Sequence, residues 1–148
     1  MNTLLPFNVR VYGLLLHRKN ILLSDELHQG NRITKFPGGG LQFGEGTISC
    51  VIREFKEELG ITIRVRQHFY TTDFFQASAF NPEQQVISIY YLVETDEVKN
   101  ILSSDMAFDF DTEEGKFQSF RWVTLDELQV SELTLPIDRH VIKLLKKK

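Results

Sequence analysis

The chain has 148 residues, a single cysteine and a formal charge of −3. That length fits one domain of ordinary size, expected to span residues 1–148, and buries about 70% of the unfolded surface without metal or disulfide staples. One cysteine excludes an internal disulfide framework, and 42% hydrophobic with 25% charged residues excludes intrinsic disorder. The longest apolar run, Val11 to Leu16, is far too short to span a bilayer. No basic segment precedes an apolar stretch at the N-terminus, so no signal peptide is read and a cytoplasmic protein with no membrane partner is expected. Lys143, Lys146, Lys147 and Lys148 crowd the last six residues, and setting their four charges aside takes the rest from −3 to −7. So acidic a body suits neither duplex nucleic acid nor its phosphate backbone, and the terminal lysines read as a helix end whose dipole favours cations.

In chain order, Phe7–Leu16 and Ile21–Ser24 flank a polar turn and read as a β-hairpin. Residues 25–35 are polar, with Gly30-Asn31 as a turn signal, and read as an exposed loop. Phe36-Pro37-Gly38-Gly39-Gly40 predicts irregular backbone, and Thr47–Leu59 a helix. Ile61–Phe75, Val86–Glu94 and Phe117–Val123 carry strand patterns. Between the last two, residues 95–116 form a long acidic connection, with a short helical turn at Val98–Leu102. Leu125–Leu128 and Pro136–Leu145 read as helical, Pro136 suiting a first helical position. The sum is a mixed α/β (α+β) protein, a mixed sheet packed against helices.

The chemistry concentrates between Gly38 and Ile61. Projected at about 100° per residue, Ile48, Val51, Ile52, Phe55 and Leu59 form an apolar stripe that must face a core. Glu54, Glu57 and Glu58 share the adjacent flank, where like charges three and four residues apart repel. Repulsion grows as the flank is desolvated. Arg53 and Lys56 project toward the far side of the helix. A hard divalent cation such as Mg²⁺ is the natural remedy for such a flank. The glycines ahead of the helix let the backbone approach an ion or phosphate closely. Glu45 adds a fourth carboxylate near the helix start, and Gly60 suits the left-handed position that ends it.

The pattern G-x5-E-x7-R-E-U-x-E-E-x-G-U, with U a bulky apolar residue, resembles the Nudix box. It runs from Gly39 through Glu45, Arg53-Glu54, Phe55, Glu57-Glu58 and Gly60-Ile61, with nine fixed positions in 23 residues. The preceding Phe36-Pro37-Gly38-Gly39 and the later Trp122 and Leu125-Asp126-Glu127-Leu128 are also similar to the family. Two positions depart: Gly46 stands where the family usually has Ser or Thr as helix cap, and Gln42 where it often has an acid. Neither is a residue of the implied metal site.

The resemblance implies a Nudix fold, a mixed β-sheet sandwiched between helices with the box as a loop–helix–loop catalytic motif. It implies hydrolysis of a nucleoside diphosphate linked to another moiety, with Mg²⁺ or, as a substitute, Mn²⁺. Glu57 and Glu58 would be the principal metal ligands, with the Gly38 carbonyl and Glu54. Glu54 and Glu45 are the box candidates for general base, and Arg53 would orient the carboxylates. An additional acid is expected from residues 105–114, with Glu114 first and Glu113 second among Asp105, Asp109 and Asp111. Cys50, on the acidic side, is discouraged from ionising and is not expected to act as a nucleophile. His17, His28, His68 and His140 show no ligand spacing. Phe69, Tyr70, Phe74 and Phe75 could stack on a base or pack in the core.

Substrate signatures are weak. The proline associated with ADP-ribose enzymes would fall at Gln76 or Ala77, and the tyrosine of dinucleoside polyphosphate enzymes near Ala77–Ala79, while Pro82 lies too far along. A nucleotide sugar, an ADP-ribose-like compound or a (d)NTP all stay open. So do a homodimer and two non-enzymatic readings: a Nudix-like nucleotide-binding or regulatory module, and a simple acidic metal-binding protein.

Overall fold

The computed structural model describes residues 6–148. Strands β1 (Phe7–His17) and β2 (Asn20–His28) form the expected hairpin, with Arg18 and Lys19 both at positive φ in its two-residue turn. Only Leu16–Ile21 and His17–Asn20 pair before the strands part. β1 then pairs in parallel with β6 (Gln85–Glu94) and antiparallel with the short β4 (Gly38–Gly40). β2 pairs with β3 (Asn31–Lys35) and β7 (Gln118–Thr124), while β5 (Arg64–Thr71) extends the sheet beyond β6.

Strict alternation along β1 and β2 divides the core between two faces. Val11, Leu15 and Leu22 pack under Val51 and Phe55 of helix α1 (Thr47–Leu59). Tyr12, Leu14, Ile21 and Leu23 pack under Ile137, Val141, Ile142 and Leu145 of helix α2 (Pro136–Lys146). The expected mixed sheet between helices is therefore the observed one. Helix α1 has the predicted bounds, and Gly60 ends it at φ 71° with its N–H bonded to Lys56 O. Pro136 takes the first turn of α2 as expected.

Three expectations are corrected. Residues 25–35 are not an exposed loop but the end of β2, a Gln29-Gly30 turn and β3, with Asp25, Thr34 and Lys35 buried. Their polarity is satisfied internally: Arg121 Nε reaches Asp25 Oδ2 at 2.6 Å and Thr34 Oγ1 reaches Asp25 Oδ1 at 2.7 Å. Gly38–Gly40 is regular enough to form a strand against β1. Leu125–Leu128 makes a turn closed by Leu128 N–H to Thr124 O, and the next helical turn is a 3₁₀ segment at Val130–Glu132. A short 3₁₀ turn at Val98–Asn100 lies where one was expected. No helix among the described residues is long and apolar enough to cross a membrane.

Candidate active site

β4 brings the glycine loop beneath α1. Gly38 has φ +149°, and a Cβ there would run into the carbonyl oxygen of Val11, so only glycine fits the close pairing. A Cβ on Gly39 would lie 2.5 Å from the carboxyl carbon of Glu54. The missing methyl group is what lets the Glu54 carboxyl approach the strand so closely.

The loop then turns through Glu45, whose Oε1 accepts the Gln42 backbone N–H at 2.9 Å. Arg53 grips the same carboxylate with both arms of its fork, Nε to Oε2 at 2.9 Å and Nη2 to Oε1 at 2.8 Å. Its Nη2 also reaches Gly40 O at 3.1 Å, and Nη1 reaches Glu54 Oε1 at 3.1 Å and Glu57 Oε2 at 3.0 Å. The projection of Arg53 to the far side is thus wrong. A long guanidinium stem folds back along the helix toward the carboxylates, and Arg53 joins three of them to the loop. The Arg53 hydrogen bonds, followed by that of Gln42 N–H, hold the Glu45 carboxyl down at about 2. Glu45 is consequently ionised and fully engaged.

Glu58 differs. Its Oε2 is buried without a hydrogen-bond partner. Burial pushes its pKa up to about 7; Lys35 opposes this, while Glu26 and Glu54 add to it. Lys35 supplies a buried ammonium beside the site, donating to Phe36 O and Gly38 O at 3.3 Å and pairing with Glu26 Oε2 at 2.9 Å. Glu26 also accepts from Ser24 Oγ at 2.8 Å and Gln118 Nε2 at 3.1 Å. Glu26 and Lys35 were missed because they fell in the segment read as a loop. The Gln29-Gly30 turn followed by Ile33 and β-branched Thr34 was the hairpin signal that could have revealed them.

Among the described residues, no three Asp, Glu, His or Cys side chains converge as a formed metal site. Arg53 and Lys35 supply the positive charge instead. The donors nonetheless suit a hard divalent ion. Glu54, Glu57, Glu58 and the Gly38 carbonyl offer only oxygens, and the buried Oε2 of Glu58 has no hydrogen-bond partner.

Glu114 stands on an exposed 3₁₀ turn, Thr112–Glu114, and pairs with Lys116 at 3.4 Å. Glu113 lies on the same turn, capped by Asp111, and neither glutamate bonds to a box residue. The loop is anchored at its base, where Phe108 N–H donates to Asp25 Oδ2 and Asp109 N–H to Ser119 Oγ. Cys50 is buried, and burial followed by Glu45 pushes its thiol up to about 12, so it is inert as expected.

A cavity of about 480 Å³ opens on the α2 side of β1. Arg10, Glu26 and Lys35 line its end nearest the box, and Tyr90, Asp138 and the edge-to-face pair His28–Phe80 line the remainder. The base-stacking candidates are elsewhere. Phe69 and Tyr70 pack against the α2 core, Phe74 lies against His140, and Phe75 borders a separate small cleft with Phe7. Phe69 and Tyr70 belong to strand β5, at the sheet edge beyond β6, and Phe74 and Phe75 follow it in the chain.

Comparison with curated proteins gives no match. Among solved structures, a NUDIX hydrolase from Nitrosomonas europaea superposes with a TM-score of 0.70 at 20% identity, covering 96% of this chain and 89% of that one. A MutT NUDIX hydrolase from Burkholderia pseudomallei gives 0.68 at 19% identity, covering 93% and 96%. An ADP-ribose pyrophosphatase from Streptococcus suis gives 0.61 at 15% identity, covering 95% and 92%. These likenesses establish the fold. The family model described as NUDIX domain matches residues 6–145, nearly the whole chain and including the complete box. The chain belongs to the Nudix hydrolase family.

Proposed function

We propose that the chain, acting as a single domain, is a divalent-metal-dependent pyrophosphohydrolase. It cleaves a nucleoside diphosphate linked to another moiety by attack of water on a phosphorus. The substrate is a nucleotide sugar, an ADP-ribose-like compound or a (d)NTP. The observation that carries this reading is a nucleoside-sized cavity whose lining residues Lys35 and Arg10 reach the Gly38–Gly40 strand, against which Glu54 of the acidic helix flank lies.

Glu57, Glu58 and the Gly38 carbonyl would hold Mg²⁺, with Mn²⁺ as substitute and Glu54 as a further ligand. When bound, the ion neutralises pyrophosphate charge and lowers the pKa of water. Glu54 is the better proton acceptor of the two box candidates: its Oε1 meets Arg53, while its Oε2 takes no protein hydrogen bond among the described residues. Glu45, held near 2 by Arg53, is a brace rather than a base. Arg53 fixes the relative positions of Glu45, Glu54 and Glu57 before substrate arrives. Glu114 is proposed as an outer acid that joins the site when substrate is present.

A panel of ADP-ribose, nucleotide sugars and (d)NTPs, assayed with Mg²⁺ or Mn²⁺ and resolved by phosphorylated product, tests the proposal. Metal-dependent turnover is expected, falling by roughly 100-fold or more in Glu57→Gln and Glu58→Gln while circular dichroism stays unchanged. Tight nucleotide binding without hydrolysis would replace the enzyme by a binding module.

A further inference from the structure

Two basic side chains reach the cavity from its box end, and they differ in what their donors do. Lys35 has three N–H bonds and three protein acceptors: Phe36 O, Gly38 O and Glu26 Oε2. It is a positioning residue, fully engaged within the protein. Arg10 donates only through Nε, to Tyr12 Oη at 3.1 Å. Its Nη1 and Nη2 meet no protein acceptor among the described residues, and no carboxylate lies within ion-pairing distance. The guanidinium is held in place by that single bond and by the Tyr12 ring, whose centroid lies 5.9 Å from its central carbon. Tyr12 is itself buried and packed on Tyr90 at 5.3 Å.

The fork is thus oriented, partly desolvated and open. Its Nη1 lies 3.5 Å from where a Cβ on Gly40 would sit, beside the strand that separates cavity from carboxylates. A planar fork with two unused donor arms matches the oxygens of a phosphoryl group, which it binds in bidentate fashion. A neutral base or a sugar would offer these two charged donor arms weaker acceptors than a phosphoryl group does.

Resting on the pyrophosphohydrolase reading above, we infer that Arg10 binds the nucleoside-side phosphate of the substrate, with the nucleoside beyond it in the cavity and the scissile bond toward the box. Arg10 contributes the same contact to substrate and to the nucleoside monophosphate product. Its loss therefore weakens binding more than it slows the chemical step.

The test measures binding of AMP, GMP, CMP and UMP to the full chain by calorimetry in EDTA, for wild type, Arg10→Lys and Arg10→Gln, with the matching nucleosides as controls. Expected is a loss of about tenfold or more for the monophosphate in Arg10→Gln, with partial recovery in Arg10→Lys. Nucleoside binding and thermal stability should stay unchanged. Steady-state assays should show KM rising at least tenfold, with a smaller change in kcat. Monophosphate affinity and KM unaltered in Arg10→Gln would overturn the assignment, as would equal losses for nucleoside and monophosphate, which indicate a structural role. The parent reading fails separately, if wild type hydrolyses no member of the pyrophosphate panel; monophosphate binding then still decides the role of Arg10.

Discussion

Asp138 lies wholly buried in the first turn of α2, where Tyr90 Oη donates to its Oδ1 at 2.5 Å and Oδ2 has no partner. Burial pushes its pKa up to about 6, although the Tyr90 hydrogen bond and the charges of Lys35 and Arg10 pull it back. In an unfolded chain the same carboxyl titrates near its ordinary value of about 4. Between these values the folded state binds the proton more tightly, so stability is present in full below about pH 4 and is lost as pH rises through about 6. Asp138→Asn keeps an acceptor for Tyr90 and cannot ionise. Its unfolding free energy relative to wild type should improve by up to about 3 kcal/mol from pH 4 to pH 7, then level off. Urea unfolding of both proteins at several pH values checks this. A difference independent of pH would mean that Asp138 does not ionise in this range.

At the scale of elements, α1 begins without a side-chain cap: Gly46 lies at φ −81° and ψ 167° and offers no oxygen to the first helical N–H groups. These angles are ordinary extended backbone for any residue, and a Cβ there would meet nothing within 4 Å. Gly46→Ser should therefore stabilise the protein by a few tenths of a kcal/mol, raising the midpoint of thermal unfolding by about 1–2 °C. A lower midpoint would show that the serine hydroxyl does not reach the helix N–H groups. The bounds of α1 were legible in the sequence because their causes are local: Gly46 before the apolar stripe, Gly60 after it. The hairpin at residues 25–35 was not, because the partners that make its polar residues tolerable are remote. Asp25 depends on Arg121, and Glu26 on Gln118 and Lys35. The box carboxylates were legible by spacing. The role of Arg53 could not be read from a helical projection, which follows the direction of Cβ and not where a long stem ends.

Across the whole molecule, charge is distributed by face rather than evenly. The residues ahead of the C-terminal lysines carry −7, and Glu54, Glu57 and Glu58 lie along one helix flank. One guanidinium, Arg53, answers Glu54 and Glu57, whereas the buried oxygen of Glu58 remains unpaired. The folded state thus holds a concentrated negative field that an unfolded chain disperses, so a cation bound there favours folding by mass action. At a hundred times its dissociation constant, Mg²⁺ should stabilise the native state by about 3 kcal/mol, shifting thermal unfolding upward by roughly 6–12 °C for a chain of this size. Differential scanning fluorimetry at constant ionic strength, comparing MgCl₂ with NaCl plus EDTA, separates this site-specific effect from general screening. The magnesium-dependent shift should shrink to a degree or two in Glu58→Gln, while the sodium response stays as in wild type. Equal magnesium shifts in both proteins would place the ion elsewhere on the acidic surface. A shift confined to wild type would tie the acidity of the fold to the one flank where charge is both crowded and desolvated.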